Sequence, residues 1–239
     1  MSDQLLTEKS GAITTLTLNR PDKANALSAP LVDALAAAVD AAHHDGTRLL
    51  VLKGNGRHFC AGFDFSGFED ASEGDLLLRF VRIETLLQAL YHAPFATLAL
   101  AQGRNFGAGA DLILACGTRI AAPDADFRMP GLKFGLQLGT RRLASRIGGD
   151  GARALLLGSK TFGTDEALNI GFLHKVAAAE SWPGIVLRAA EEALQLSADA
   201  AARLHAATVT DSRAADLADL VRSAAETGLK ERIREYRKR

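Results

Sequence analysis

Two short segments rich in small residues constrain this chain more than any other feature. Residues 58–65 read His-Phe-Cys-Ala-Gly-Phe-Asp-Phe, and residues 101–112 read Ala-Gln-Gly-Arg-Asn-Phe-Gly-Ala-Gly-Ala-Asp-Leu. Each segment stands where an apolar strand should end, and a segment that can begin a helix follows it. Small residues let a ligand approach the backbone, and the first N–H groups of a helix lack internal partners. Either turn alone reads equally well as a glycine-rich chain reversal. Side by side, they can direct two N–H donors at one oxygen and so form an oxyanion hole.

The composition describes a globular chain without a strong overall charge. Its 239 residues are 48% hydrophobic and 23% charged, which suits one large domain or two small ones. Lys plus Arg and Asp plus Glu number 28 each, so the net charge of zero argues against non-specific binding of nucleic acid. The sequence contains no apolar run of membrane-spanning length and no secretory signal at its start. We therefore expect a cytoplasmic protein with neither nucleic acid nor membrane as a partner.

The cysteine content predicts neither a disulfide framework nor a metal site. Only Cys60 and Cys116 are present, and no pattern of metal ligands surrounds them. Cys60 lies in the first turn, where it is either a small buried thiol or a nucleophile. The sequence places no histidine that would activate it.

Hydrophobic periodicity predicts alternating strands and helices, followed by a helical end. Strands are predicted over 12–19, 48–53, 95–101, 118–122 and 173–176, and helices over 28–44, 73–91, 111–116, 141–147, 152–157 and 164–169. Residues 123–139 read as a loop with short extended pieces, and helices are expected over 185–208 and 212–238. This order predicts an α/β fold with a helical C-terminal part.

The two turns and three further segments resemble the crotonase superfamily, the enoyl-CoA hydratase/isomerase family. The first turn is similar to that family's Cys/Ser-Ala-Gly-x-Asp motif, and the second to its Gly-x-x-x-Gly-Gly-Gly-x-Glu motif. The further segments are Asn19-Arg20-Pro21 with Asn25-Ala26-Leu27, residues 164–173, and the terminal residues 233–239. Because the resemblance extends from about Gly11 to the last residue, we expect the chain to be complete.

The resemblance implies an architecture, an assembly and a substrate class. It implies a crotonase-like spiral of repeated ββα units over residues 1–180. Residues 181–239 would then form a helical part that serves oligomerisation and covers the active site. The implied assembly is a homotrimer or a dimer of trimers. The implied substrate is an acyl-CoA thioester, in which coenzyme A is part of the substrate rather than a separate cofactor.

The resemblance also assigns roles to backbone groups and to residues that contact CoA. The oxyanion donors would be the N–H groups of Phe63 and Ala108, although Ala108 stands where the family has glycine. Contacts to CoA are implied for Lys23, Ala24, Ala61 and Asp64. Lys23 reads equally well as a solvated loop lysine, and Asp64 as a cap of the segment that follows it.

The catalytic acids mark a departure from the family. Asp111 aligns with the first of the two glutamates that hydratases use, and its alternative role is to stabilise the dipole of a helix first turn. Helix-start amides would favour the ionised form of Asp111, and apolar burial would favour the neutral form. The second glutamate position is Gly131, within Phe-Arg-Met-Pro-Gly at 127–131. Glycine cannot transfer protons, so isomerisation, decarboxylation or thioester hydrolysis is favoured over hydration.

The sequence leaves other candidate site residues and other functions open. The weaker polar candidates are His58, Arg128, Gln137, Arg141 and Arg142. The candidate replacements for the missing carboxylate are Glu69, Glu73 and Glu84. An acyl pocket could be lined by Phe63, Phe65, Phe68 and Phe106. The loss of the second acid also suits a catalytically silent CoA-binding or assembly subunit. An unrelated glycine-rich α/β binding protein is the third interpretation.

Overall fold

The structure of the protein, a computed structural model, describes residues 4–238. Its strands are β1 (Leu5–Ser10), β2 (Ile13–Leu18), β3 (Leu49–Gly54), β4 (Ala96–Ala101), β5 (Arg104–Phe106), β6 (Thr118–Ala121), β7 (Asp126–Arg128), β8 (Phe162–Gly163) and β9 (Lys175–Val176). Its helices are α1 (Ala29–Ala42), α2 (Glu73–Tyr91), α3 (Ala108–Ala115), α4 (Thr140–Ile147), α5 (Gly149–Gly158), α6 (Thr164–Asn169), α7 (Trp182–Leu194), α8 (Ala198–Thr208), α9 (Arg213–Ala225) and α10 (Leu229–Arg237).

The larger sheet has six strands in the order β1-β2-β3-β4-β6-β9. β1 and β2 form an antiparallel hairpin, and every later pairing in this sheet is parallel. The first four residues of β3, at 49–52, form a continuous apolar run, which is typical of a parallel strand covered on both faces. Leu50 and Leu52 enter the main core, whereas Leu49 and Val51 point to a second core beneath α7.

A second, shorter set of strands begins where the long strands end. β5 pairs with β7, which pairs with β8, and isolated bridges extend this layer through Cys60–Asn105 and Leu27–Phe63. Several units of the chain therefore supply one long strand to the large sheet, one short strand or bridge to this layer, and then a helix. Because both candidate turns follow long strands, the repetition brings them to the same region of the molecule.

Local sequence explains where the main helices begin. The Ser28 hydroxyl accepts a hydrogen bond from Leu31 N–H at the start of α1, and Ser72 forms a capping box with Asp75 at the start of α2. α9 lies against α2, and α10 reaches the turn at 131–134, where the rings of Tyr236 and Phe134 lie 5.2 Å apart. Across residues 4–238, no helix combines the length and apolarity needed to cross a membrane.

The predicted α/β class with a helical C-terminal part is confirmed. The amphipathic helix and strand predictions for the first 122 residues match observed elements, except that α3 begins at Ala108 rather than Asp111 and that β1 and β5 were not predicted. The prediction of two long C-terminal helices was wrong in extent, because residues 182–208 and 213–237 each form two helices. Breaks at Gln195–Ser197 and at Glu226–Gly228 separate them, and Ser197 and the left-handed Gly228 are the residues that allow the second helix of each pair to begin.

Candidate active site

The two glycine-rich turns contact each other so closely that only glycine fits at the contact points. A Cβ placed on Gly109 would fall 2.1 Å from the carbonyl oxygen of Cys60. One placed on Gly62 would fall 2.3 Å from the carbonyl oxygen of Phe106, and Gly62 also has a φ of +91°. Both distances are well inside van der Waals contact. The small residues noted in the sequence therefore allow one backbone to pack directly against the other.

This contact places Phe63 and Ala108 on the wall of one cavity. The bridge between Leu27 and Phe63 uses the Gly62 carbonyl and the Asp64 N–H, which leaves the Phe63 N–H directed away from the bridge. Ala108 is the first residue of α3, so its N–H has no acceptor within the helix. Within residues 4–238, neither group donates a hydrogen bond to another protein atom. Both are free to bind an oxygen.

The cavity has a volume of about 210 Å³ and a mainly apolar wall. Aromatic rings from five parts of the chain contribute to this wall, namely Phe63, Phe65, Phe80, Phe106, Phe134 and Tyr236. Phe68, which was also expected to line the cavity, instead packs on Phe65, with the ring centroids 6.2 Å apart. The guanidinium of Arg79 lies 4.2 Å from the centre of the Phe63 ring and supports it from behind. The cavity therefore suits an apolar ligand group.

Asp111 lies on this wall one helical turn after Ala108 and is 2% exposed. Its Oδ1 atom has no hydrogen-bond partner among the described residues and lies against Gly139, the residue that precedes α4. Burial raises the pKa of Asp111 from 3.8 to about 8; the nearby charge of Glu84 adds to the rise, and that of Arg142 opposes it. Burial is the largest of these influences, and it favours the neutral form of the carboxyl.

A buried ion pair lies behind Asp111. Glu84 and Arg142 are fully buried, with 2.7 Å between Oε2 and the guanidinium, and Gln88 donates a second hydrogen bond to the Glu84 carboxylate at 2.9 Å. Glu84 does not line the cavity, so it does not replace the missing glutamate. The sequence offered Glu84 and Arg142 as separate candidates, and only the tertiary structure shows that they neutralise each other.

The remaining candidate carboxylates hold the C-terminal helix in place. Glu69 pairs with Arg234 at 2.6 Å, and the Glu73 carboxylate accepts a hydrogen bond from the Lys230 N–H at 3.1 Å. Both groups lie on the outer surface rather than on the cavity wall. They fix α10, which carries Tyr236 over the cavity.

The weaker polar candidates also have structural partners outside the cavity. The Nδ1 atom of His58 accepts the N–H of Arg104 at 3.1 Å and so braces the second turn. The Arg128 guanidinium donates to the carbonyl of Ser159 at 3.0 Å. Gln137 binds to α9 through Ser223, and Arg141 pairs with Asp216 at 3.0 Å. Burial raises the pKa of the Cys60 thiol to about 12, in keeping with a buried thiol rather than a nucleophile.

The residues assigned to CoA binding lie around the first turn. Ala61 lines the cavity, and its N–H donates to the carbonyl of Ala24 at 2.9 Å, which places the opening loop beside the turn. Lys23 is exposed in that loop. Asp64 is 2.9 Å from Arg20; although burial acts to raise its pKa, hydrogen bonds from Ser66 and the Arg20 charge lower it overall. CoA contacts at these positions stay predictions.

Two functional features near Asp111 were missed by the sequence reasoning. Gly139 provides the space for the Asp111 carboxyl, and Thr140 lines the cavity, while its hydroxyl is buried without a partner among the described residues. The only sequence signal was that Gly139 and Thr140 begin a helix after the loop that holds Gly131. Among the described residues, no cluster of three or more His, Cys, Asp or Glu side chains could hold a metal ion.

The fold and the site together define a class of α/β protein in which two glycine-rich turns and a buried acid share the wall of one apolar cavity. The chain belongs to the enoyl-CoA hydratase/isomerase family, whose model matches residues 8–234. A crystal structure from Bordetella parapertussis, described as an enoyl-CoA hydratase/isomerase, is 53% identical, with a TM-score of 0.98 over 100% of both chains. An enoyl-CoA hydratase structure from Bacillus halodurans has a TM-score of 0.86 at 22% identity, covering 97% of this chain and 99% of its own.

A mycobacterial relative supports the same family membership. It is called "Probable enoyl-CoA hydratase echA6" in Mycobacterium tuberculosis and is 36% identical over 190 residues, which cover 77% of this chain and 76% of the relative. The crotonase-like fold expected from the sequence is therefore confirmed, as is the assignment to a family of acyl-CoA enzymes.

Proposed function

We propose that the protein is an acyl-CoA enzyme that holds the thioester oxygen between Phe63 N–H and Ala108 N–H and uses Asp111 as its single proton-transfer group. One observation carries this proposal. Among the described residues, Asp111 is the only one with a carboxyl side chain that lines the cavity. Two aligned N–H donors would stabilise an enolate oxygen, and one donor of this kind is typically worth about 3 kcal/mol of activation free energy.

The position of the second family glutamate supports one-acid chemistry. A Cβ placed on Gly131 would fall 2.9 Å from the carbonyl oxygen of Leu136, and the Leu136 N–H donates back to the Gly131 carbonyl at 2.9 Å. Residues 131 and 136 are therefore in close backbone contact. A glutamate at position 131 would have to direct its side chain into this contact. Hydration by two carboxylates is therefore not the reaction that this cavity suits, although the relatives named above are called hydratases.

The raised pKa of Asp111, which favours its neutral form, distinguishes the remaining reactions. Isomerisation and thioester hydrolysis both begin with a carboxylate that accepts a proton, whereas decarboxylation ends with an acid that donates one. In the decarboxylation we favour, the bond between the α-carbon and the carboxylate carbon breaks and carbon dioxide leaves. The electron pair forms the thioester enolate, and the Asp111 proton passes to the α-carbon. Solvent then returns a proton to Asp111. This assignment makes the enzyme a lyase.

The proposed CoA contacts and the proposed assembly both follow the family pattern. The CoA moiety would lie across Lys23, Ala24, Ala61 and Asp64, where the opening loop meets the first turn. A homotrimer or dimer of trimers, with residues 181–239 at the interface and over the site, completes the proposal.

The test is an assay of the pure protein against four kinds of CoA thioester, followed by mass spectrometry. Malonyl-CoA and methylmalonyl-CoA report decarboxylation, 3-hexenoyl-CoA isomerisation, hexanoyl-CoA hydrolysis, and crotonyl-CoA hydration. We expect loss of carbon dioxide from a malonyl-type thioester, reduced at least 100-fold by Asp111→Asn. Rapid hydration of crotonyl-CoA, or turnover that Asp111→Asn leaves unchanged, would contradict the proposal.

A second candidate function is a silent acyl-CoA-binding or assembly subunit. The observation that favours it is the same closed chain at Gly131, together with an Asp111 that is almost completely shielded. This function predicts that calorimetry detects acyl-CoA binding while every thioester in the assay stays intact. Turnover of any of them by the pure protein excludes it.

A further inference from the structure

Arg79 holds the first glycine-rich turn from outside the cavity. Its side chain extends from α2, and the central carbon of its guanidinium lies 4.2 Å from the centre of the Phe63 ring. The same guanidinium donates a hydrogen bond to the Asp64 carbonyl at 2.6 Å. Arg79 itself does not line the cavity. One side chain therefore contacts both the residue that carries a proposed oxyanion donor and the residue that follows it.

The charge of Arg79 is directed at these two contacts. Within the described chain, no carboxylate lies within ion-pair distance of its guanidinium, and the Asp64 carboxylate pairs instead with Arg20 at 2.9 Å. Most arginines lie exposed on the protein surface, whereas Arg79 is half-buried. A hydrogen bond from a charged donor is about twice as strong as a neutral one, and a cation over an aromatic face adds a further attraction. Arg79 therefore stabilises the turn more than a neutral side chain could.

The first turn is held less firmly at its Asp64 end than at its Gly62 end. The Leu27 N–H donates to the Gly62 carbonyl at 2.7 Å. The Asp64 N–H donates to the Leu27 carbonyl at 3.3 Å, which is long for a backbone hydrogen bond. The Phe63 N–H lies between these two bonds, so its direction depends on the longer one. By binding the Asp64 carbonyl, Arg79 strengthens that end of the turn.

A guanidinium can make both contacts at once, and an ammonium group cannot. The guanidinium is planar, so its face can lie on an aromatic ring while the N–H groups at its edge donate in the plane. The ammonium group of lysine is a compact point charge without such a face. Phe80, the residue after Arg79 on α2, stacks on the same Phe63 ring with 4.4 Å between the ring centroids. Two consecutive residues of one helix therefore fix this ring.

We propose that Arg79 is a positioning residue for the oxyanion hole, because it holds the Phe63 ring and the Asp64 carbonyl and so keeps the Phe63 N–H directed at the thioester oxygen. This inference rests on the proposed function, in which that N–H binds the thioester oxygen. Donors of an oxyanion hole act mainly on the transition state, so a misdirected donor lowers kcat more than it weakens binding.

The experiment measures how strongly the bound thioester carbonyl is polarised. The probe is butyryl-CoA labelled with carbon-13 at the thioester carbon, a saturated thioester that can be neither hydrated, isomerised nor decarboxylated. Difference infrared spectra at saturating probe concentration give the stretching frequency of its carbonyl, free and bound. Arg79→Met removes both contacts, and Arg79→Lys keeps the charge but not the planar group. Arg82→Met is the matched control, because Arg82 lies on the same helix and pairs with Asp33 on the surface at 3.4 Å.

We expect the wild type to shift the bound carbonyl to a lower frequency, as two aligned donors would. Arg79→Met and Arg79→Lys should both lose most of that shift, and Arg82→Met should keep it. On the thioester that the wild type consumes, kcat should fall by about tenfold or more in both Arg79 variants, with a smaller change in KM.

Thermal unfolding of each variant verifies that it is folded. Arg79→Lys keeps the stem and the charge, so it tests the inference even where Arg79→Met does not fold. If Arg79 only stabilised the fold, its variants would unfold at lower temperature and keep the wild-type carbonyl frequency, and this result would overturn the inference. If the wild type itself shifts no frequency on binding, the proposed function fails, and the inference fails with it.

Discussion

Oδ1 of Asp111 occupies the space that a side chain at Gly139 would need. The distance between this oxygen and a Cβ placed on Gly139 is only 1.9 Å, less than the closest approach of two such atoms. Gly139 also has a φ of +65°, at which an L-residue is strained. The position of the candidate proton-transfer group therefore depends on a glycine that is 28 positions away in the sequence.

Gly139→Ala should displace the Asp111 carboxyl and reduce turnover at least 100-fold, because proton transfer requires the acid within hydrogen-bond distance of the reacting carbon. The matched control is Gly228→Ala. Gly228 is also in the left-handed region, with a φ of +84°, but a Cβ there would meet nothing within 4 Å. Both variants should lose roughly 1–2 kcal/mol of stability from backbone strain, and only Gly139→Ala should lose activity. Thermal unfolding and turnover, measured together, separate the two effects. Equal activity in the two variants would show that Gly139 does not position Asp111.

Gly109→Ala tests whether contact between the two turns creates the oxyanion hole. The added methyl group would fall 2.1 Å from the Cys60 carbonyl oxygen and push the turns apart. Since backbone N–H groups cannot be removed by substitution, separating them is the direct way to weaken the site. We expect kcat/KM to fall by two orders of magnitude or more, in line with the loss of one oxyanion donor.

Gly149→Ala is the control for placing alanine at a helical glycine. Gly149 begins α5, and a Cβ there would have open space around it. This variant should keep full activity and gain up to about 1 kcal/mol of stability from the helix propensity of alanine. Acyl-CoA affinity and turnover are measured for both variants. The oxyanion assignment fails if Gly109→Ala folds and turns over as fast as Gly149→Ala.

The sequence was enough to predict the turns because the constraint on each of them is local. A backbone that must approach another backbone requires glycine at Gly62 and Gly109, and glycines between a strand and a helix are visible without a structure. Asp111 was assigned by the resemblance to the family, at a position one turn into the helix that begins in the second turn. Local patterns therefore accounted for the half of the site built from consecutive residues.

The other half of the site depends on contacts between distant segments, which no local pattern records. Gly139 and Thr140 read as an ordinary helix start, and Glu84 reads as one polar residue on an amphipathic helix. Their importance appears only when α4 and α2 pack against α3. The state of Asp111 was undecidable for the same reason, since helix amides and burial oppose each other and burial is a property of the whole fold.

Glu84→Gln should destabilise the protein strongly, because Glu84 is the carboxylate partner of the buried Arg142. Removing one member of a buried ion pair leaves the other charge uncompensated and typically costs about 3–5 kcal/mol. The double variant Glu84→Gln with Arg142→Met removes both charges and should recover most of that loss. Urea unfolding of the wild type and both variants gives the free energies. If the double variant is no more stable than Glu84→Gln, the pair is not the source of the effect.

The pH dependence of stability should reveal the neutral state of Asp111. Its pKa is about 8 in the folded protein against 3.8 as its ordinary value, so the folded state binds a proton that the unfolded state releases between these values. The stabilisation from this group is fully present below about pH 4 and declines as the pH rises towards 8, with a slope of at most about 1.4 kcal/mol per pH unit. Urea unfolding at pH 5, 6, 7 and 8 should show this decline for the wild type relative to Asp111→Asn. Because both proteins contain the same histidines, the difference isolates Asp111.

The pH dependence of turnover distinguishes the proposed reaction from its rivals. If Asp111 donates a proton to the enolate, the rate should be constant at neutral pH and fall tenfold per unit above its pKa of about 8. If Asp111 instead begins as a base, as in isomerisation or thioester hydrolysis, the rate should rise with pH and level off above that value. Initial rates from pH 6 to 10 on the preferred thioester decide between the two. Circular dichroism at each pH verifies that the enzyme stays folded, since the decline in stability and the fall in rate occur in neighbouring ranges. A rate that rises through pH 8 would rule out Asp111 as a proton donor and would make isomerisation the favoured reaction.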